Sequence, residues 1–300
     1  TTKVALANRN LQVGVQVMTD LASQLVTLII TVVIAWATGS VWSLVAGSLF
    51  GITLKVITQH ILLKGPSNRW HIERAAVWDL LGFGKYIFFA SIAGFLVLQS
   101  DRAILGAYVS LADLGIFTVG YIFASLSIDL NRAIGAKVVF PLFSKFPTKG
   151  IPENREKVLK ARRLTLFAIA SIAGALSLIS IPMIDLLYDS RYHDAGAILA
   201  LMGFTVSAVL AQSNYDGAYL AAGDSWQQFK LTTIEAFLQV SIAIALISRF
   251  GMLGAVFSIG ITKLASYPFR AHTAWRYGVW DPKADLATLC IGWGCTALSV

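Results

Sequence analysis

The sequence predicts an all-α protein, a polytopic bundle of transmembrane helices, and three observations carry that prediction. Of 300 residues, 56% are hydrophobic and 13% charged, with a mean hydropathy of +0.69, whereas soluble domains are about a quarter charged. The apolar residues gather into runs of about 20, the length an α-helix needs to cross a hydrocarbon core of ~30 Å at a rise of ~1.5 Å per residue. Lys and Arg crowd into alternate connections between these runs, as they do where basic loops are retained on the cytoplasmic side of a membrane.

Nine runs come close to spanning length, near residues 18–38, 41–63, 83–108, 114–140, 164–187, 195–222, 226–248, 253–275 and 286–300. The ninth stops inside its apolar stretch and the chain opens on Thr1, so about nine spans are expected, the last truncated, in a piece of a longer protein. One set of connections holds seventeen Lys and Arg, and the opposite set holds two, Arg191 and Arg249. That bias places residues 64–78 and 141–163 on the cytoplasmic side. The formal net charge of +8 is accounted for by these loops and requires no nucleic acid; membrane lipids with anionic headgroups are sufficient partners. The outer connections, near Gly39, Ser110, Ser190 and Phe250, are too short for an outer catalytic domain.

Two inner connections interrupt the rhythm, Lys64 to Trp78 and Ser144 to Arg163. Within the second, Glu153 to Arg163 is charged and has Glu153/Lys157 and Glu156/Lys160 at i,i+4 spacing, which predicts a solvated helix at the cytoplasmic surface. An internal echo relates Gly39–Lys55 to Gly251–Lys263: a glycine turn, a helix start rich in small residues, then a lysine. Six spans separate the copies, and an even number gives both the same orientation, the pattern of parallel repeats.

Enzyme signatures are weak. Gly82-Phe83-Gly84-Lys85 lacks the upstream glycine, the following Ser/Thr and the preceding strand of a phosphate-binding loop. His60, His71, His193 and His272 are scattered, and Cys290 and Cys295 share one apolar segment, so neither a metal site nor a disulfide framework is expected. The chain is therefore expected to carry no cofactor and to be no enzyme.

Five cations fall inside spans: Lys55, Arg102, Arg132, Lys137 and Lys263. A charge at mid-bilayer costs at least about 2.5–3.5 kcal/mol, so such residues face a wet cavity, the bundle interior or the interface. Lys137 and Lys263 are near enough to the cytoplasmic ends to snorkel, whereas Arg102 and Arg132 are deeper. Nearby polar residues include Gln99, Asp101, Asp129, Asn131, the run Gln212-Ser213-Asn214-Tyr215-Asp216, and Glu235 with Gln239 on one helical face. Asp129 and Arg132 are spaced to pair at i,i+3, whereas Asp101 is adjacent to Arg102 and cannot share its face. A cationic, hydrogen-bonding interior suits an anionic substrate.

The stretches Leu81-Gly82-Phe83-Gly84-Lys85-Tyr86-Ile87, Leu98-Gln99-Ser100-Asp101-Arg102-Ala103-Ile104-Leu105-Gly106 and Asp113-Leu114-Gly115-Ile116-Phe117 resemble the O-antigen and exopolysaccharide flippases of the multidrug/oligosaccharidyl-lipid/polysaccharide exporter superfamily. Phe140-Pro141-Leu142-Phe143-Ser144 and Ala218-Tyr219-Leu220-Ala221-Ala222-Gly223 extend the resemblance over about residues 18–276. It implies a two-lobed transporter of 12 to 14 helices. Residues 1–63 would be the last two helices of the first lobe, 64–78 the cytoplasmic inter-lobe linker, 79–276 the six-helix second lobe and 277–300 the start of an additional helix. The implied function is flipping of a polyprenyl-diphosphate-linked oligosaccharide across the bacterial inner membrane by alternating access, for lipopolysaccharide or other surface polysaccharide. Other polysaccharide-assembly membrane proteins would be its partners.

On that reading Arg102, Arg132, Lys55, Lys137, Gln99, Asn131 and Asn214 bind substrate. Asp129, Asp216, Asp101 and Glu235 are candidates for coupling to a Na⁺ or H⁺ gradient. The competing readings are an ion-coupled multidrug antiporter of the same superfamily, which the excess of interior cations disfavours, and a polymerase or ligase, which the short outer loops disfavour.

Overall fold

The computed structural model describes residues 3–4, 7, 13–63, 73–146, 148 and 150–299; most of them are helical, and none lies in a strand. The expected linker residues 64–72 lie outside the described residues. The chain divides at Ile72/Glu73 into two compact units.

In the first unit, α1 (Val13–Thr38) and α2 (Trp42–Leu62) pack as a hairpin. Gly39 turns it at φ 60°, a left-handed conformation that side chains oppose. Across this hairpin Asp20 of α1 accepts from Lys55 Nζ at 3.0 Å and from Gln59 Nε2 at 2.8 Å, both of α2.

The second unit holds α3 (Arg74–Tyr108), α4 (Leu111–Ile134), a π-helical segment (Gly135–Val139), α5 (Phe140–Lys145), α6 (Pro152–Leu178), α7 (Ser180–Leu187), α8 (His193–Ala211), α9 (Asp216–Ala221), α10 (Ser225–Arg276) and α11 (Pro282–Ser299). α10 is one helix in name only. Gly251, at φ 55° and ψ −127°, reverses it, and contacts such as Gln227 Nε2 to Thr273 Oγ1 at 2.7 Å show its two arms lying side by side. The arms are the expected seventh and eighth spans.

Seven helices among the described residues are long and apolar enough to cross a membrane, counting α10 once. The ninth expected span is helical, as α11, but is not among the seven. Large apolar side chains such as Trp36, Trp42, Phe237 and Leu186 are exposed, as lipid-facing helices require. Because lipid offers no hydrogen bonds, backbone groups must be satisfied within the protein, and helices do so internally.

α8 is the centre of the second unit. Its apolar residues face every direction, with Ile198, Leu199, Met202, Val206 and Leu210 buried, the pattern of a helix enclosed on all sides. It packs against α4, α6, α7, α10 and α11. Cross-helix hydrogen bonds run from Ser177 Oγ to Ala200 O at 2.8 Å and from Thr205 Oγ1 to Val256 O at 2.6 Å.

The charged run Glu153 to Arg163 is not a separate surface helix. It forms the first turns of α6, continuous with the apolar part. Glu153 and Lys157 pair at 2.8 Å on the exposed face, but Val158, Leu159 and Arg162 turn inward and are fully buried. Glu156 pairs with Arg163 at 3.1 Å. Helix phase explains the difference: solvated charges and core residues share one segment on opposite faces.

Arg162 is thus no loop cation. Its guanidinium reaches Asp285 Oδ1 of α11 at 2.8 Å, donates to Ala211 O at 2.7 Å and Ser213 O at 3.2 Å, and stacks on the Tyr215 ring at 3.9 Å. Asp285 Oδ2 accepts from Tyr215 and Tyr267 hydroxyls at 2.6 and 2.7 Å. Neighbouring bonds draw the connections of this end together. Arg155 Nε donates to Gly278 O at 2.8 Å, Arg163 Nε to Asp281 Oδ2 at 2.5 Å, and Tyr277 OH to Asp224 Oδ2 at 2.7 Å. All belong to the basic set of connections, so the structure gathers at one end what the charge bias assigns to one side.

Removing one partner of a buried ion pair leaves the other uncompensated and costs about 3–5 kcal/mol. Arg162→Met or Asp285→Leu alone is expected to destabilise the purified protein by that order in thermal unfolding. The double variant, which leaves no charge unpaired, is expected to regain part of the loss.

Candidate functional site

A cavity of about 400 Å³ lies within the second unit, walled by α4, the π-helical segment, the break between α8 and α9, and the second arm of α10. Its polar lining comprises Asn131, Arg132, Gln212, Ser213, Asn214, Asp216, Lys263 and Arg270.

Two irregular backbone segments make this wall. Asn214, at φ 66°, ends the tight turn after α8, a conformation that asparagine tolerates better than most side chains. The carbonyls that α8 leaves open there are taken by Arg162. Opposite, α4 widens into the π-helical segment at Gly135–Val139; such bulges are frequent at functional sites. The two meet closely. A Cβ on Gly135 would lie 2.1 Å from Asn214 Oδ1, while Asn214 Nδ2 donates to Asn131 Oδ1 at 3.3 Å. Irregular backbone at membrane depth occurs where it is buried in protein or lines a cavity.

The electrostatics are internally balanced. Arg132 pairs with Asp129 at 3.0 Å, both side chains being more than half exposed. Lys263 and Arg270 share one carboxylate, that of Glu235 on the first arm of α10, 2% exposed: Lys263 Nζ binds Oε1 and Arg270 Nη2 binds Oε2 at 2.5 Å. Gln212 Nε2 donates to Lys263 O at 2.8 Å, tying the break to the second arm. Among the described residues no group of His, Cys, Asp and Glu is arranged to hold a metal ion.

Of the residues singled out from sequence, the structure brings Asn131, Arg132, Asn214 and Asp216 together in this cavity, with Asp129 paired to Arg132 on an exposed face and Glu235 buried behind Lys263 and Arg270. Others are not among its lining residues. Lys55 is in the first unit on Asp20, Gln99 is exposed on α3, and Lys137, on the π-helical segment, is not among the lining residues. Arg102 stacks on the Tyr121 ring at 4.3 Å, and neighbouring Asp101 is 1% exposed with its Oδ2 lacking a hydrogen-bond partner.

Lys263 therefore does not snorkel, and Arg270, in a basic stretch near a span end, is no loop cation. The sequence carries a signal for the first. Glu235 and Lys263 stand sixteen residues before and twelve after Gly251, and opposite charges at similar distances from a turn meet when a helix doubles back.

Residues 1–197 match the family described as polysaccharide biosynthesis protein. The chain is 21% identical over 242 residues to the probable low-salt glycan biosynthesis flippase Agl15 of Haloferax volcanii, covering 77% of this chain and 48% of that protein. It therefore spans about half the length of this relative. Its fold is similar to that of lipid II flippase MurJ in an inward closed conformation, with a TM-score of 0.59 and 15% identity over 94% of this chain and 65% of MurJ.

Gly135→Ala is expected to push Asn214 from its place and to destabilise the purified protein by about 1–3 kcal/mol, the usual cost of overpacking. Gly82→Ala, where an added Cβ meets nothing within 4 Å, is expected to cause no loss of stability. Thermal unfolding of the two variants beside the parent checks both.

Proposed function

Because the chain belongs to the polysaccharide biosynthesis protein family, we propose that it serves in a flippase that moves a polyprenyl-diphosphate-linked oligosaccharide across the membrane by alternating access. The observation that carries this reading is the cavity lining: three cations, Arg132, Lys263 and Arg270, against one carboxylate, Asp216, beside amide and hydroxyl side chains. Guanidinium forks suit phosphate oxygens, and Asn131, Gln212, Ser213 and Asn214 suit a hydroxyl-rich glycan. The lipid tail stays in the bilayer and no covalent bond changes. A cationic drug would instead need carboxylates to outnumber cations in the lining, and there Asp216 stands against three cations while Glu235 is already held by two of them.

The membrane is the bacterial inner membrane on this reading, the product a surface polysaccharide such as O-antigen or exopolysaccharide, and residues 64–78 and 141–163 are cytoplasmic. Residues 1–63 close a first lobe and 79–276 form a second. Asp101, buried in α3 with an unpartnered oxygen, is the favoured group for a driving Na⁺ or H⁺, since intramembrane carboxylates that change occupancy mark such pathways.

Two experiments test this. Cysteines replacing exposed Lys145 and Ser190, one at a time in cysteine-free full-length protein, are expected to label from opposite sides of the membrane; labelling of both by an impermeant reagent in intact cells overturns the topology. The double variant Arg132→Gln/Arg270→Gln is expected to reduce surface polysaccharide by at least about a hundredfold, the loss of two charge-assisted hydrogen bonds worth roughly 1.5–3 kcal/mol each. Normal export at normal abundance refutes the anion-carrier reading.

A further inference from the structure

Every cation lining the cavity already has a carboxylate. Arg132 holds Asp129 on the same helix, and Lys263 and Arg270 hold Glu235. Glu235 is not among the lining residues; it sits behind Lys263 and Arg270 and reaches them across the hairpin of α10. An anion drawn to those two cations competes with Glu235 for the Lys263 Nζ and Arg270 Nη2 groups that the carboxylate already occupies, and for the charge it already neutralises.

The released carboxylate has a receiver. Gln239 follows Glu235 by one helical turn on the same face. It is 1% exposed, and its buried Nε2 has no hydrogen-bond partner, a costly arrangement in a protein interior. Arg270 likewise keeps a buried Nε without an acceptor, so its fork is not saturated by Glu235.

The same device occurs in the first unit. There Asp20 precedes the left-handed glycine Gly39, and Lys55 and Gln59 follow it and bind Asp20. In the second unit Glu235 precedes Gly251, and Lys263 and Arg270 follow. The order of carboxylate, turn, lysine and second donor extends the echo noted in the sequence.

We propose that Glu235 is an internal counter-ion held by Lys263 and Arg270 until a lipid-linked diphosphate takes its place, whereupon its carboxylate passes to Gln239. This rests on the anion-carrier reading and adds a coupling step. Glu235 and its two cations stand on opposite arms of α10, so the exchange removes an ionic clamp between the arms, and binding is linked to movement of the hairpin. A ligand shifts a conformational equilibrium only through such a difference in contacts.

The test uses full-length protein in lipid nanodiscs with farnesyl diphosphate as the probe and farnesol as the uncharged control. Glu235→Gln removes the competing anion, so farnesyl diphosphate is expected to bind about tenfold tighter or more, as when an occupied site is set free, while flipping in proteoliposomes slows because release is impeded. Glu235→Asp, too short to hold both cations, is expected to bind with intermediate affinity and serves if the glutamine variant does not fold. Gln239→Leu, which removes the receiver but no lining residue, is expected to weaken binding several-fold. Farnesol binding is expected to be the same in all.

Unchanged or weaker binding in the Glu235 variants, or unchanged binding in Gln239→Leu, overturns the exchange. The anion site itself is judged separately: Lys263→Gln and Arg270→Gln that bind farnesyl diphosphate as the parent does overturn both the exchange and the site.

Discussion

Arg162 answers a problem that burial imposes. Where α8 ends and the chain turns through Gln212 to Tyr215, backbone carbonyls lose their helical donors, and a buried carbonyl left without a partner is costly. The guanidinium meets Ala211 O and Ser213 O, anchors to Asp285 and lies against Tyr215. With five donors in a rigid fork, arginine does this where lysine could not. The break it supports carries Gln212, Ser213, Asn214 and Asp216 into the cavity wall, so a structural charge on α6 sets the geometry of residues that it never touches through their side chains. It also joins α11 to α6 and α8, giving the helix that is too polar to rank among the spanning seven a place in the core of the second unit.

A second constraint governs the cavity. Buried charges are tolerated in pairs, and an anion-binding surface that was simply cationic would pay a large desolvation penalty before any ligand arrived. Here Glu235, buried behind Lys263 and Arg270, carries that compensation. On the anion-carrier reading the arrangement separates two requirements: folding needs neutrality, whereas binding needs donors that can be turned towards a ligand. Since the counter-ion stands on one arm of a hairpin and the cations on the other, neutrality and the closure of the hairpin are one interaction.

Some of the site was legible in sequence for local reasons. Asp129 and Arg132 pair at the i,i+3 spacing that predicts it, and the polar run Gln212 to Asp216 inside an apolar stretch does interrupt a helix. Arg102 and Lys55 were equally conspicuous as intramembrane cations, yet Arg102 stacks on Tyr121 and is not among the lining residues, and Lys55 belongs to the first unit, where it pairs with Asp20. Arg162 and Arg270 had the look of loop charges because they stand in basic stretches near span ends. Burial of either depends on which face of its helix meets another helix, and nothing local specifies that.

Composition and the length of the apolar runs by themselves determined that this is a multi-pass helical membrane protein, because bilayer thickness and helical rise relate length to span directly. The charge bias likewise grouped the connections into two sets without any knowledge of packing. Only the tertiary structure decided that Glu235 meets Lys263 and Arg270, that Asn214 meets Asn131 across Gly135, and that Arg162 meets Asp285. Each of these pairs joins residues tens of positions apart, and each depends on helix phase, on the reversal at Gly251 and on how closely two helices approach. Those quantities arise from packing summed over the whole unit, and no short stretch of sequence contains them.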